Sequence, residues 1–168
     1  IICSNQNSYY YSVPALLNAT SYIWTFPNNN TVTTTSANID INSNVFTNGN
    51  LQVKAQNLCG VSNSSSMAIT LKDLPNTPVS IDGLSVVCQN YGNTIYAVTG
   101  LTNANSYIWT LSNGFSDTTS LNNISVFIGS NAVSGNISVK GFNECGNGES
   151  KIKYIKINSL PDANAGAD

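Results

Sequence analysis

Apolar and polar residues alternate with a period of two along most of this chain. Tyr22, Trp24 and Phe26 share one face of a short run whose other face carries Ile23 and Thr25, and Tyr107, Trp109 and Leu111 repeat the arrangement 85 residues later. Ile39 and Ile41 answer to Ile124 and Val126. Leu51, Val53 and Ala55 answer to Ile137, Val139 and Gly141, with Lys54 and Lys140 directed to the opposite, solvent side. Asn28-Asn29-Asn30, Asn48-Gly49 and Ser112-Asn113-Gly114 supply turn chemistry between the runs. No stretch keeps helical periodicity beyond a turn. Roughly six or seven short strands per half, broken by Asn, Gly and Ser turns, predict an all-β chain of two tandem antiparallel β-sandwiches. The last strand is the irregular one: Met67, Ile69 and Leu71 share a face, but Lys153 takes the place of Met67 and Ile152 and Tyr154 lie opposite. A bulge is expected there, and the lysines also discourage edge-to-edge pairing.

The repeat is literal at its centre, where Ser21-Tyr22-Ile23-Trp24-Thr25 recurs as Ser106-Tyr107-Ile108-Trp109-Thr110. Residues 1–75 form the first repeat, with most of its opening strand missing, and residues 76–161 form the second. Leu160-Pro161 repeats Leu74-Pro75, so 162–168 reads as the start of a following repeat or a tail, and the array is expected to extend in both directions. The connection Leu74-Pro75-Asn76-Thr77-Pro78 is too short for a flexible tether and has two fixed φ angles, so the two domains are expected to sit end to end.

Charge enters as a scarcity. Only 8% of residues are charged: there are six Lys, no Arg and no His, and polarity rests on Ser, Thr and 27 Asn. Without a basic stripe, nucleic acid is not an expected partner. The commonest general base and metal ligand is absent, and Asp40, Asp73, Asp82, Asp117, Glu144 and Glu149 make neither a calcium loop nor an identifiable catalytic pair. No catalytic, cofactor or metal site is expected, and no apolar run is long enough to span a membrane. Cys3 and Cys88 each precede their tryptophan by 21 residues, while Cys59 and Cys145 follow it by 35 and 36. Four cysteines allow three connectivities. Repetition favours Cys3–Cys59 with Cys88–Cys145, one bridge per repeat. A zinc site is the rival reading, disfavoured by the lack of CxxC and of His. Disulfides place the chain outside the cytosol.

Tyr22, Trp24, Phe26, Asn28 and Asn29, with Tyr107, Trp109, Leu111, Asn113 and Gly114, loosely follow the Y-x-W-x-F-G-D-G signature of PKD-like domains, with Pro27 and Ser112 in place of the usual glycine. Pro78, Ile81, Gly83, Val87 and Cys88, then Asn143, Cys145 and Gly146, resemble the disulfide-bearing PKD-like subclass found in long surface proteins of Bacteroidota. The resemblance covers the whole chain. It implies a repeat of a large cell-surface adhesin of the gliding-motility type, exported by type IX secretion, and transfers no binding site.

Trp24 and Trp109, with Tyr22 and Tyr107, are expected in the cores rather than on sugar-stacking platforms, while one of Tyr9 and Tyr10 is expected at the surface. Asp117-Thr118-Thr119 resembles a bacterial O-glycosylation acceptor at Thr118. Two functions follow as expectations. The first is a non-catalytic spacer in an extracellular adhesin, partnered by neighbouring repeats and by surface glycans or other cell-surface proteins. The alternative is an accessory spacer or glycan-binding sandwich of a secreted polysaccharide-degrading enzyme.

Overall fold

The computed structural model describes residues 1–161, so the expected start of a further repeat at 162–168 lies outside the described residues. The chain divides into two units, Ile1–Asp73 and a second that begins at Leu74. Both are all-β.

In the first unit the strands are β1 (Ile2–Cys3), β2 (Ser8–Ser12), β3 (Ser21–Thr25), β4 (Thr31–Thr34), β5 (Asn38–Asn42), β6 (Gly49–Asn57), β7 (Gly60–Val61), β8 (Ser65–Ile69) and β9 (Leu71–Lys72). The main sheet runs β4-β3-β6-β7, with β8 also on β6; β2 pairs with β5 and β1 runs parallel to β9. In the second unit they are β10 (Ser80–Asp82), β11 (Val86–Cys88), β12 (Gly92–Thr99), β13 (Ser106–Leu111), β14 (Ser116–Thr119), β15 (Asn123–Ile128), β16 (Gly135–Asn143), β17 (Gly146–Asn147) and β18 (Lys151–Asn158). One sheet is β10-β12-β15 and the other β11-β18-β16-β13-β14. In the second unit β10 pairs antiparallel with β12, and the chain then crosses to run β11 parallel to β18.

The crossing has a definite cause. Gly83 sits at φ +136, where a Cβ would lie 2.5 Å from the Tyr96 ring, so only glycine fits. The Tyr96 hydroxyl donates to the Leu84 carbonyl at 3.0 Å, and Lys153 Nζ donates to the carbonyls of Ile81 and Gly83 at 3.0 and 2.6 Å. This corrects the expected bulge. The β16–β18 register is continuous from Val139↔Lys151 to Gly135↔Ile155. Lys153 simply points inward to hold the carbonyls of the crossing, while Ile152 and Tyr154 face solvent.

The repeated tryptophans anchor the two cores, exposed by 2% and 0%. Burying an indole requires a partner for its N–H. Trp24 Nε1 donates to Thr34 Oγ1 and Trp109 Nε1 to Thr119 Oγ1, both at 3.1 Å; each threonine hydroxyl passes its own proton to a carbonyl, Ser36 or Leu121, at 2.6 Å. Tyr22 is buried and Tyr107 is half-buried against its core. Burial raises the Tyr96 hydroxyl pKa, and burial followed by the neighbouring Tyr9 raises that of Tyr11.

The first core also closes around Phe46, whose ring meets those of Tyr9, Tyr11 and Phe26 edge-on at 5.9 to 6.4 Å. At an offset of 86 its counterpart is Ala132. The matching backbone bonds, Phe46 N–H to Ser43 and Ala132 N–H to Gly129, confirm the equivalence.

Thr119→Val keeps the shape of the side chain but leaves the Trp109 N–H buried without an acceptor. The expected loss is about 1–3 kcal/mol in chemical denaturation. An unchanged midpoint would mean that the threonine relay contributes nothing.

Candidate functional site

Chemistry that distinguishes one end of a module from the other is concentrated at the cysteines. Strands β6 and β7 are joined by Leu58-Cys59, and β16 and β17 by Glu144-Cys145. Asn57 Oδ1 accepts from the Cys59 N–H and Asn143 Oδ1 from the Cys145 N–H, each at 2.8 Å. The same amides donate through Nδ2 to the carbonyls of Asn18 and Asn103, at 3.1 and 2.8 Å. Asn18 and Asn103 both occupy the left-handed region, which asparagine tolerates, and Gly60 and Gly146 follow the cysteines at φ +144 and +124. The N-x-C-G motif is thus a turn that presents a cysteine. Sequence reasoning found the motif but not Asn18 and Asn103, which fasten it from a separate loop.

The other two cysteines lie elsewhere. Cys3 is level with Lys72 and Cys88 with Asn158. In the second unit β16 runs from the Cys145 hairpin to Gly135, opposite Ile155, and Asn158 lies three residues further along β18. At about 3.3 Å per residue, Cys88 and Cys145 are on the order of 35 Å apart. The first unit gives the same interval, from Asn57 to Gly49 opposite Ile69, then on to Lys72. A disulfide needs Cα atoms within roughly 4.4–6.8 Å. The expected Cys3–Cys59 and Cys88–Cys145 bridges are accordingly not formed: Cys3 and Cys145 are the disulfide-bonded cysteines, while Cys59 and Cys88 are exposed free thiols.

Around Cys145 the surface is occupied by the start of its own unit. Pro75 rides on Gly141 and Gly148, where a Cβ would stand 2.7 Å from the Pro75 Cβ and 2.3 Å from its carbonyl oxygen, and Leu74 lies over Gly146. Asn76 locks this segment: its Nδ2 donates to the Gly100 carbonyl at 2.8 Å, and its Oδ1 accepts from the Thr102 N–H and, at 2.9 Å, from the Thr102 hydroxyl. The equivalent residues of the first unit, Leu16, Ala19, Ala55, Gly60 and Ser62, line an open groove of about 350 Å³ beside Cys59. A second cavity, of about 510 Å³, opens near the Cys88 end of the second unit between Leu111, Val126, Ile128, Ala132, Ile155 and Ile157. It corresponds to the place that Phe46 fills in the first.

The remaining candidates are dispersed. Tyr9 is half-buried, its hydroxyl accepting from the Cys3 N–H at 2.5 Å and donating to the Cys3 carbonyl at 3.0 Å, whereas Tyr10 is exposed. Thr118 is exposed on β14, its N–H donating to Asp117 Oδ1 at 2.8 Å. Among the described residues, no three His, Cys, Asp or Glu side chains converge as metal ligands, and no helix is long and apolar enough to cross a membrane.

The family model for the PKD-like domain matches the chain twice, at residues 1–69 and 74–155. The chain belongs to the PKD-like domain family. Solved structures share its fold at low identity. The titin I-band fragment I67–I69 is 13% identical, covers 94% of this chain and 62% of its own, and has a TM-score of 0.61. A chain from a mouse coronavirus receptor-binding domain complexed with its murine receptor is 10% identical, covers 94% and 95%, and scores 0.64. A calcium-stabilised adhesin with which an Antarctic bacterium binds ice is 14% identical, covers 91% and 44%, and scores 0.51. No curated protein sequence matches significantly. PKD-like and immunoglobulin-like sandwiches are commonly structural or adhesive and generally non-catalytic, and this domain type together with a disulfide points to an extracellular protein.

Asn143 is buried, so Asn143→Ala removes the side-chain hydrogen bonds to the Cys145 N–H and the Asn103 carbonyl. The expected cost is about 1–3 kcal/mol by urea unfolding, with a smaller loss for Asn57→Ala in the more exposed hairpin. Equal, negligible losses would show that the motif does not fasten the hairpins.

Proposed function

We propose that these PKD-like modules are non-catalytic spacers of a long extracellular adhesin that serves cell-surface attachment or gliding, of the Bacteroidota type carried out by type IX secretion. The observation that supports this reading best is the way the second module incorporates its own leader. Pro75 seats on glycines and Asn76 clamps the Gly100–Thr102 loop, so the chain enters the module along one fixed path. A spacer needs that property because a tether free to swing transmits neither position nor tension. The glycan-binding alternative would draw on the exposed rings of Tyr10, Tyr91, Phe115, Phe127 and Tyr154, none of which belongs to the ring pairs among the described residues, all centred on buried Phe46.

Small-angle scattering of the chain tests the reading. An elongated particle with a narrow distribution of inter-module angles is expected, broadened by Asn76→Gly. A wide ensemble in the unaltered chain, or saturable binding on a glycan array, contradicts the spacer role.

A further inference from the structure

Each module carries one cysteine of each of two kinds at its opposite ends: a strand cysteine, Cys3 or Cys88, and a hairpin cysteine, Cys59 or Cys145. The bonded cysteines are one of each kind, Cys3 and Cys145, and the free thiols are the remaining one of each kind. The strand cysteine lies where the chain leaves its module. Cys3 sits beside Lys72, two residues before Leu74-Pro75, and Cys88 sits beside Asn158, two residues before Leu160-Pro161. The hairpin cysteine lies beside the groove that a Leu-Pro pair fills in the second module.

We propose that the free thiols and the open groove of this chain are the two halves of a joint between two copies of the chain. Cys88 and the Leu160-Pro161 exit of one copy bond and dock into Cys59 and the groove beside it on the other. Leu160 is exposed, as a plug awaiting its socket must be, and Leu16, Leu17 and Val61 present exposed apolar surface at the socket. Ala55 and Ser62 replace two of the glycines of the second module, so the plug rides about one methyl group further out there. This joint rests on the bonding states and on the groove, and does not depend on the adhesin reading.

Closing the joint is an oxidation. A low-molecular-weight disulfide supplies the oxidising equivalent: the Cys59 thiolate displaces one thiol from it, and the Cys88 thiolate then attacks the mixed disulfide and releases the second. Two protons and two electrons leave the pair, and the reagent departs as two thiols.

The test uses the full chain as two variants, Cys59→Ser, which keeps the plug end, and Cys88→Ser, which keeps the socket end. They are mixed in equal amounts in a buffer of oxidised and reduced glutathione, and the products are separated without reduction and mapped by mass spectrometry. The Cys88–Cys59 heterodimer should exceed the two homodimers together by about tenfold, the factor set by burying one leucine side chain. Leu160→Ser in the plug variant, a change on an exposed residue outside the core, should return that ratio to about one, the statistical value for unguided thiol oxidation. A statistical ratio without Leu160→Ser, or a preference that survives it, overturns the proposal.

Discussion

A disulfide cannot span the length of a nine-residue strand, and the arrangement of this molecule depends on that mismatch. Strands β6 and β16 each run nine residues through the middle of their sandwiches. The hairpin cysteine stands beyond one end, and the strand cysteine beyond the other. With about 35 Å of strand between them, the two cysteines of one module cannot meet while the sheet register holds. The register in turn is fixed by the alternating pattern, since a shift of one residue would turn Ile137 and Val139 outward and Ser138 into the core.

The separation divides the labour within a module. The middle is devoted to stability: a buried tryptophan on β3 or β13, its N–H relayed through a threonine to a carbonyl, packed against the apolar face of β6 or β16. The ends carry the differences between the copies. Phe46 with Tyr9, Tyr11 and Phe26 fills one end of the first core, whereas Ala132 leaves a cavity in the second. At the opposite end Pro75 occupies the second module and the first presents a groove. Natural cores tolerate such volume exchanges when the pattern is kept.

Strand patterning, the repeat period and the burial of the tryptophans were legible because each is written locally, in alternation and in turn residues. The N-x-C-G motif was legible as a turn for the same reason. The disulfide pairing was not, because repetition places the cysteines at matching positions without saying how far apart the two of one module lie. Only the register, which comes from pairing across long sequence separations, sets that distance. Lys153 looked like a break in the pattern and is instead a donor to the carbonyls of Ile81 and Gly83, 70 or more residues earlier. The exchange of Phe46 for Ala132 was hidden by the single inserted residue that shifts the offset from 85 to 86. The acceptance of Pro75 by Gly141 and Gly148 was hidden because glycine declares no partner in sequence.

The central claim is that the two cysteines of one module are held too far apart to bond. It is tested most directly by alkylating the native chain, digesting it without reduction and mapping the cysteine peptides by mass spectrometry. The account predicts alkylated Cys59 and Cys88, with Cys3 and Cys145 recovered in cystine form and no cystine joining the two cysteines of one module. A cystine joining Cys3 to Cys59, or Cys88 to Cys145, would contradict it.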